Sequence, residues 1–242
     1  MPAGSPSLPP DLRLYVIGDI HGCLGLLKKL LEKIKEDSRS APGAVRKIFL
    51  GDYIDRGLHS RQTIDYLLHW RGKEKEPPVF LLGNHEQVMR ILLEDPNPEL
   101  LDDWFRFGGR ETLLSYGIRP PVPLTDPRAV FAAMTEKIPE EHADFLRNLQ
   151  RSVTCGDYFF CHAGVRPGID LNAQNEQDLV WIRHEFLNHP NSFGKVIVHG
   201  HTISYKAEFR PNRIGIDTGA YATGCLTALA LEGTKQWLVQ TG

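Results

Sequence analysis

GDYIDRG, Gly51 to Gly57, is the stretch on which the reading of this 242-residue chain turns. It follows Lys47-Ile48-Phe49-Leu50, a largely apolar run that predicts a buried strand. A strand that ends in Gly-Asp and runs on into Asp-Arg-Gly sets two carboxylates and a guanidinium at the mouth of a sheet. Open α/β sheets place their ligand sites there, outside the carboxyl ends of the strands. Asp52 leaves the strand first and is positioned to bridge two cations. Asp55 and Arg56 follow in the loop, one suited to orienting a base and the other to gripping an anion. Taken alone, the stretch reads equally well as a polar turn capping a helix over 57–70.

The pattern recurs along the chain. Residues 12–17 predict a strand ending in GDIHG (18–22), and Leu24, Leu27, Leu30, Leu31 and Ile34 then fall at helical spacing over 24–35. Asp19 and His21, two apart in a tight loop, can reach one cation. Residues 79–82 predict a third strand, ending in GNHE (83–86), with a helix from His85 to Leu93. Beyond Arg151 the pattern turns to β. A hairpin over 152–155 and 158–161 ends in HAG at His162, and a helix over 176–187 carries Trp181 and Arg183. A strand over 195–198 ends in HGHT (199–202), and strands over 213–216, 225–231 and 236–239 close the chain.

Residues 95–151 read as a mainly helical block, with helix starts at Asn97, Asp126 and Pro139. Within it WFRFGGRETLLSYG (104–117) stands out. Its Gly108-Gly109 pair breaks a helix between Arg106 and Arg110, and reads as an inter-helix turn with solvated arginines rather than as a substrate contact. The first eleven residues, rich in Pro and Ser, are expected to be a disordered tail, and residues 12–242 a single catalytic domain.

Composition narrows the class. Hydrophobic and charged contents of 41% and 24% are those of an ordinary globule, and a net charge of −2 gives no global field for nucleic acid or anionic membrane. Four scattered cysteines without a Cys-x-x-Cys pair argue against a disulfide framework or a thiolate zinc site. No apolar run approaches the ~20 residues of a membrane span, and the N-terminus lacks a signal-peptide pattern. A cytoplasmic monomer is the expectation, with no nucleic-acid or membrane partner.

Collected at strand ends are Asp19, His21, Asp52, Asn84, His85, His162 and His201. Carboxylate, imidazole and amide oxygen together suit two divalent ions, Mn2+ first and Fe or Zn as alternatives. A close pair of ions is a solution for in-line displacement at phosphorus, with a hydroxide between them as nucleophile. Asp52 is the bridging candidate because its strand is central. His85 is placed to protonate a leaving group, with Asp55 holding its ring. Arg56 and Arg183 suit the equatorial oxygens of a phosphoryl group.

GDIHG, GDYIDRG, GNHE, HAG and GHT, in that order, resemble the phosphoprotein phosphatase superfamily of dinuclear metallophosphatases. The likeness is to its compact bacterial and phage members, lambda phosphatase-like or Rhizobiales-like, and runs from Gly18 to Thr202. It implies an α/β fold, a four-layer αββα sandwich of two mixed β-sheets with flanking helices. It also implies that Asp19, His21 and Asp52 hold one metal and Asp52, Asn84, His162 and His201 the other. His85 with Asp55 matches the general acid, and Arg56 and Arg183 the phosphate clamps. The implied activity is hydrolysis of phosphoserine or phosphothreonine, with phosphotyrosine as a further option, in protein or peptide substrates. The alternatives are a symmetrical diadenosine tetraphosphate hydrolase or related nucleotide phosphohydrolase, and a catalytically silent metal-binding module. The Asp55-Arg56 pair and Glu86 favour the protein phosphatase, and the complete ligand set disfavours the silent module.

Overall fold

A computed structural model describes residues 5–119 and 125–242. The chain opens with β1 (Leu12–Ile17), α1 (Leu24–Asp37), β2 (Ala44–Phe49), α2 (Ser60–Arg71), β3 (Val79–Phe80) and α3 (Asn84–Glu94). Four helices follow, α4 (Pro98–Arg106), α5 (Gly109–Ser115), α6 (Pro127–Lys137) and α7 (Glu140–Arg147). The second half holds β4 (Ser152–Cys155), β5 (Tyr158–Cys161), α8 (Glu176–Trp181), α9 (His184–Leu187), β6 (Val196–His199) and β7 (Glu208–Phe209). It ends with β8 (Arg213–Gly215), α10 (Ala220–Thr223), β9 (Thr227–Glu232) and β10 (Lys235–Gln240).

The strands form two five-stranded mixed sheets, ordered β10-β9-β1-β2-β3 and β4-β5-β6-β8-β7. Side-chain alternation decides what lies between them. Leu12, Leu14 and Val16 of β1 join Tyr158 and Phe160 of β5, Val198 of β6 and Ile214 of β8 in one buried cluster, the seam between the sheets. The intervening Tyr15, Ile17, Phe159 and Cys161 face a second cluster with the helices, beside Leu27, Leu30 and Ile34 of α1. Burying each large aliphatic or aromatic side chain stabilises the fold by about 1.5–3 kcal/mol. β1 is therefore buried on both faces, and its near-continuous apolar sequence follows from that.

This topology concentrates the motifs. β1, β2 and β3 run parallel in one sheet, and β5, β6 and β8 run parallel in the other. Their carboxyl ends deliver Asp19, Asp52, Asn84, His162, His201 and, after β8, Asp217. The helix starts at Asn97 and Asp126 are side-chain caps: Asn97 Oδ1 accepts from Leu100 N at 3.0 Å and Asp126 Oδ1 from Arg128 N at 3.0 Å. Such caps contribute about 1 kcal/mol each.

Two expectations change. The helix read over 176–187 is two helices, α8 and α9, broken at Ile182-Arg183, where Arg183 takes φ −132°, ψ −92°. Apolar spacing continues through the break and so conceals it. The tail is partly seated as well. Ser7 N donates to Asp157 Oδ2 at 2.9 Å, Leu8 N donates to Gly233 O at 3.0 Å, and Leu8 is buried in the inter-sheet cluster. A single leucine among prolines and serines gave no periodicity to reveal this. Residues 1–4 of that tail, and part of the stretch before Asp126, lie outside the described residues. Among the described residues no helix is long and apolar enough to cross a membrane.

Candidate metal centre and active site

The backbone at the strand ends is wound into conformations that L-residues avoid. His21 (φ 47°), Asp52 (φ 52°), Asp55 (φ 70°), Arg56 (φ 65°) and His201 (φ 61°) all have positive φ. Such conformations cost about 1–3 kcal/mol each and persist where the surroundings over-determine them. The surroundings here are close. A Cβ on Gly83 would meet Asp52 Oδ1 at 2.2 Å, so only glycine lets the chain entering α3 pass the Asp52 carboxylate.

Asp52 is the shared member of two ligand groups, His21–Asp52–His85 and Asp52–His162–His201, whose donor atoms within each group lie within 4.8 Å of one another. Its Oδ2 is 3.4 Å from His21 Nε2 and 3.8 Å from His85 Nε2, while its Oδ1 is 3.4 Å from His162 Nε2. The imidazoles are oriented from behind. His21 Nδ1 is 2.8 Å from Ile54 O and His162 Nδ1 is 3.0 Å from Leu50 O, so each ring donates there and turns its Nε2 lone pair inward. His162 Nε2 and His201 Nδ1 converge on Asn84 Oδ1 at 3.0 and 2.9 Å.

The donor set fits a pair of cations. Among the described residues Asp19 Oδ1 is buried with no hydrogen-bond partner, although Asp19 Oδ2 accepts from His201 N at 2.9 Å. Burial, then the charges of Asp217 and Asp52, push Asp19 far above the usual carboxylate range. Burial pushes His21 down to about 3 and lowers His162 and His201, leaving neutral rings. Burial works against ionised Asp52, yet the facing histidines, His162 foremost, hold it well below its ordinary value. Buried like-charged carboxylates, neutral imidazoles and an orphaned oxygen are what divalent ions would reconcile.

His85 has a different environment. Its Nδ1 donates to Asp55 Oδ2 at 2.6 Å. Burial lowers its pKa, but the Asp52 charge and the Asp55 bond outweigh burial and raise it to about 9. Asp55 is fully buried and accepts two further bonds, from Trp104 Nε1 at 2.7 Å and Thr112 Oγ1 at 2.6 Å. Sequence reading missed both donors; they lie in the GG-containing segment it singled out. It also missed Asp217, two residues past β8, and the part played by Glu86. That carboxylate accepts from the backbone N–H of Asp52 and Tyr53 at 2.8 Å and of Ile54 and Gly83 at 3.2 Å.

Arg56 and Arg183 both border a cavity of about 310 Å³ whose floor includes His21, Asp52, Asn84, His85 and His201. Arg183 Nε donates to His201 Nε2 at 3.0 Å, while Asp178 of α8 is taken by Arg166. The helix break is what turns Arg183 toward the site. His199, the other histidine of HGHT, is buried behind it, 3.4 Å from Arg213 Nη1.

The charges give a first expected result. In metal-free protein Asp19 and Asp217, the latter raised by burial to about 6, retain protons that a bound ion must displace. Adding Mn2+ to chelated protein should therefore raise Tm more at pH 8 than at pH 6, as differential scanning fluorimetry would show. An equal shift at both values would remove these carboxylates from ion binding.

Comparison with known proteins bears on this arrangement. The sequence pattern of calcineurin-like phosphoesterases matches residues 12–231. The asymmetrical bis(5'-nucleosyl)-tetraphosphatase PrpE of Anoxybacillus flavithermus is 27% identical over 243 residues, covering 88% of each chain. A crystal structure described provisionally as a diadenosine tetraphosphatase superposes with a TM-score of 0.65 at 19% identity, over 98% of both chains. A cold-active protein tyrosine phosphatase gives 0.64 at 16%, over 96% of this chain and 81% of its own. The two structures have the same fold and differently described activities, so the superpositions speak for fold alone. The sequence match over nearly the whole chain goes further: the chain belongs to the calcineurin-like phosphoesterase family.

Proposed function

We propose that the chain hydrolyses a phosphoanhydride bond of a dinucleoside tetraphosphate or a related nucleotide polyphosphate. The observation that carries this is the 27% identity to PrpE over 88% of both chains. It moves the first expectation, a protein phosphomonoesterase, into second place. It sets unequal cleavage beside the symmetrical hydrolase considered from the sequence. The cavity is compatible, because it joins two guanidiniums to an apolar wall.

Asp19, His21 and Asp52 would hold one ion and Asp52, Asn84, His162 and His201 the other. Bound there, two divalent ions supply an activated water and neutralise phosphoryl charge. Arg56 and Arg183 grip the equatorial oxygens of the phosphoryl group, as planar bidentate donors do. His85 carries a proton on Nε2, beside the Asp52 carboxylate, and passes it to the departing oxygen. Asp55 keeps the ring in register and stabilises its charged form.

One observation favours the second reading. A raised, carboxylate-paired His85 is most useful to an alkoxide or phenoxide leaving group, such as that of a phosphorylated Ser, Thr or Tyr. A departing nucleotide is already a weak base and needs little help. His85→Asn with Mn2+ separates the cases. Turnover of phosphopeptides should fall about 10²–10⁴-fold, the usual range for a general acid, and turnover of diadenosine tetraphosphate by much less. A wild-type substrate panel decides between the readings. Dinucleotide cleavage to AMP and ATP, with little phosphate from peptides, upholds the first; the reverse result sinks it.

A further inference from the structure

The segment around Gly108-Gly109 has a use that the chemistry above leaves open. Phe107 follows α4 directly and is 54% exposed, whereas Trp104, Phe105 and Leu113 on either side of it are buried. A lone exposed phenylalanine is ordinary. This one borders the cavity and is fixed in place. Gly108 takes φ 104°, and a Cβ there would meet Arg56 N at 2.5 Å; Arg56 N donates to Gly108 O at 3.2 Å. A Cβ on Gly109 would meet the Trp104 indole at 2.3 Å. The turn is thus clamped between the backbone of a phosphate-gripping arginine and a buried indole. Arg56 is held in turn, its Cζ 4.7 Å from the Tyr221 ring centroid.

Resting on the dinucleotide reading above, we infer that Phe107 is the platform on which a nucleobase of the substrate stacks. Val88, Leu100 and Trp104 continue the same apolar wall, and Asp103 at its rim is answered by Arg106 at 3.0 Å. A nucleobase is joined to its polyphosphate through a ribose, so it reaches a ring at the rim while the phosphates lie beside Arg56 and Arg183. A phosphotyrosine ring is bonded directly to the phosphoryl oxygen and would sit at the floor, near buried His85 and Asp52. Phosphoserine and phosphothreonine bring no ring. The rim position of Phe107 therefore favours the base.

The test compares Mn2+-loaded wild type with Phe107→Ala and Phe107→Trp, each first shown to keep the wild-type Tm. Equilibrium binding of adenosine 5'-tetraphosphate and of inorganic tetrapolyphosphate is measured by calorimetry. Phe107→Ala should weaken the nucleotide about 10-fold, within the range for base–aromatic stacking, and leave the inorganic chain within about twofold. Phe107→Trp should restore or tighten nucleotide binding. With diadenosine tetraphosphate the alanine variant should raise KM and keep kcat. Equal weakening of both ligands would mean the turn only positions Arg56, and no weakening would mean nothing stacks; either overturns the assignment. So would an equal rise in KM for a phosphotyrosine peptide. These readouts are separate from the functional reading: wild type that binds both ligands but leaves the dinucleotide uncleaved defeats the proposed activity, while the binding difference still judges the platform.

Discussion

Asp52→Asn is expected to lower bound Mn2+ from two ions per chain to one or none and to reduce kcat/KM by about 10³-fold or more, a loss of about 4 kcal/mol in transition-state stabilisation. The reason is its double membership. The same carboxylate faces His21 and His85 through Oδ2 and His162 through Oδ1, so no other residue compensates on either side. Asparagine keeps the volume and one oxygen but removes the charge. Metal analysis of dialysed protein, beside initial rates at saturating Mn2+, checks it. Two ions retained with a small rate change would show that another group spans the two ligand groups.

Glu86 should give the second large effect, by another route. Its carboxylate closes four backbone N–H groups in a space that water does not reach. Glu86→Ala leaves those donors buried and unpaired at about 1–3 kcal/mol each, which approaches the whole stability of an ordinary protein. Glu86→Gln is the informative substitution. It keeps the shape but turns an NH2 group toward backbone donors, so the loop carrying Asp52 must shift. We expect Tm to fall by roughly 5–10 °C, on the order of 2 kcal/mol or more, with Mn2+ affinity reduced about 10–100-fold. A variant that melts normally and binds two ions as tightly as wild type would show that the loop holds its own shape.

The polar residues gathered at the strand ends were legible because one physical rule places them. Parallel strands deliver polar residues at their carboxyl ends, and each strand here is a short apolar run with an abrupt polar stop. Asp19, Asp52, Asn84, His162 and His201 could be picked out on that basis, and the structure brings them together. The α/β architecture was implied by the family resemblance that the strand-end motifs carry. What lay beyond reading was contact between distant parts of the chain. Nothing local in Trp104 or Thr112 marks them as donors to Asp55, 49 and 57 residues away. The break at Arg183 was masked by continuous apolar spacing, and the seat of Leu8 depends on Gly233 at the far end of the chain. Positive φ at His21 and His201 is likewise imposed by neighbours rather than by residue type.

The bonds from Trp104 and Thr112 to Asp55 bear on how this scaffold can be altered. α4 supplies much of the cavity's apolar wall, and α4 and α5 together grip the carboxylate behind His85. Anyone transplanting that segment from a relative to retarget the cavity would be exchanging the support of the Asp55–His85 pair as well. Swaps that carry over an indole and a hydroxyl at these two places should stay active on their new substrates. Swaps that lack them should yield proteins that bind and turn over slowly.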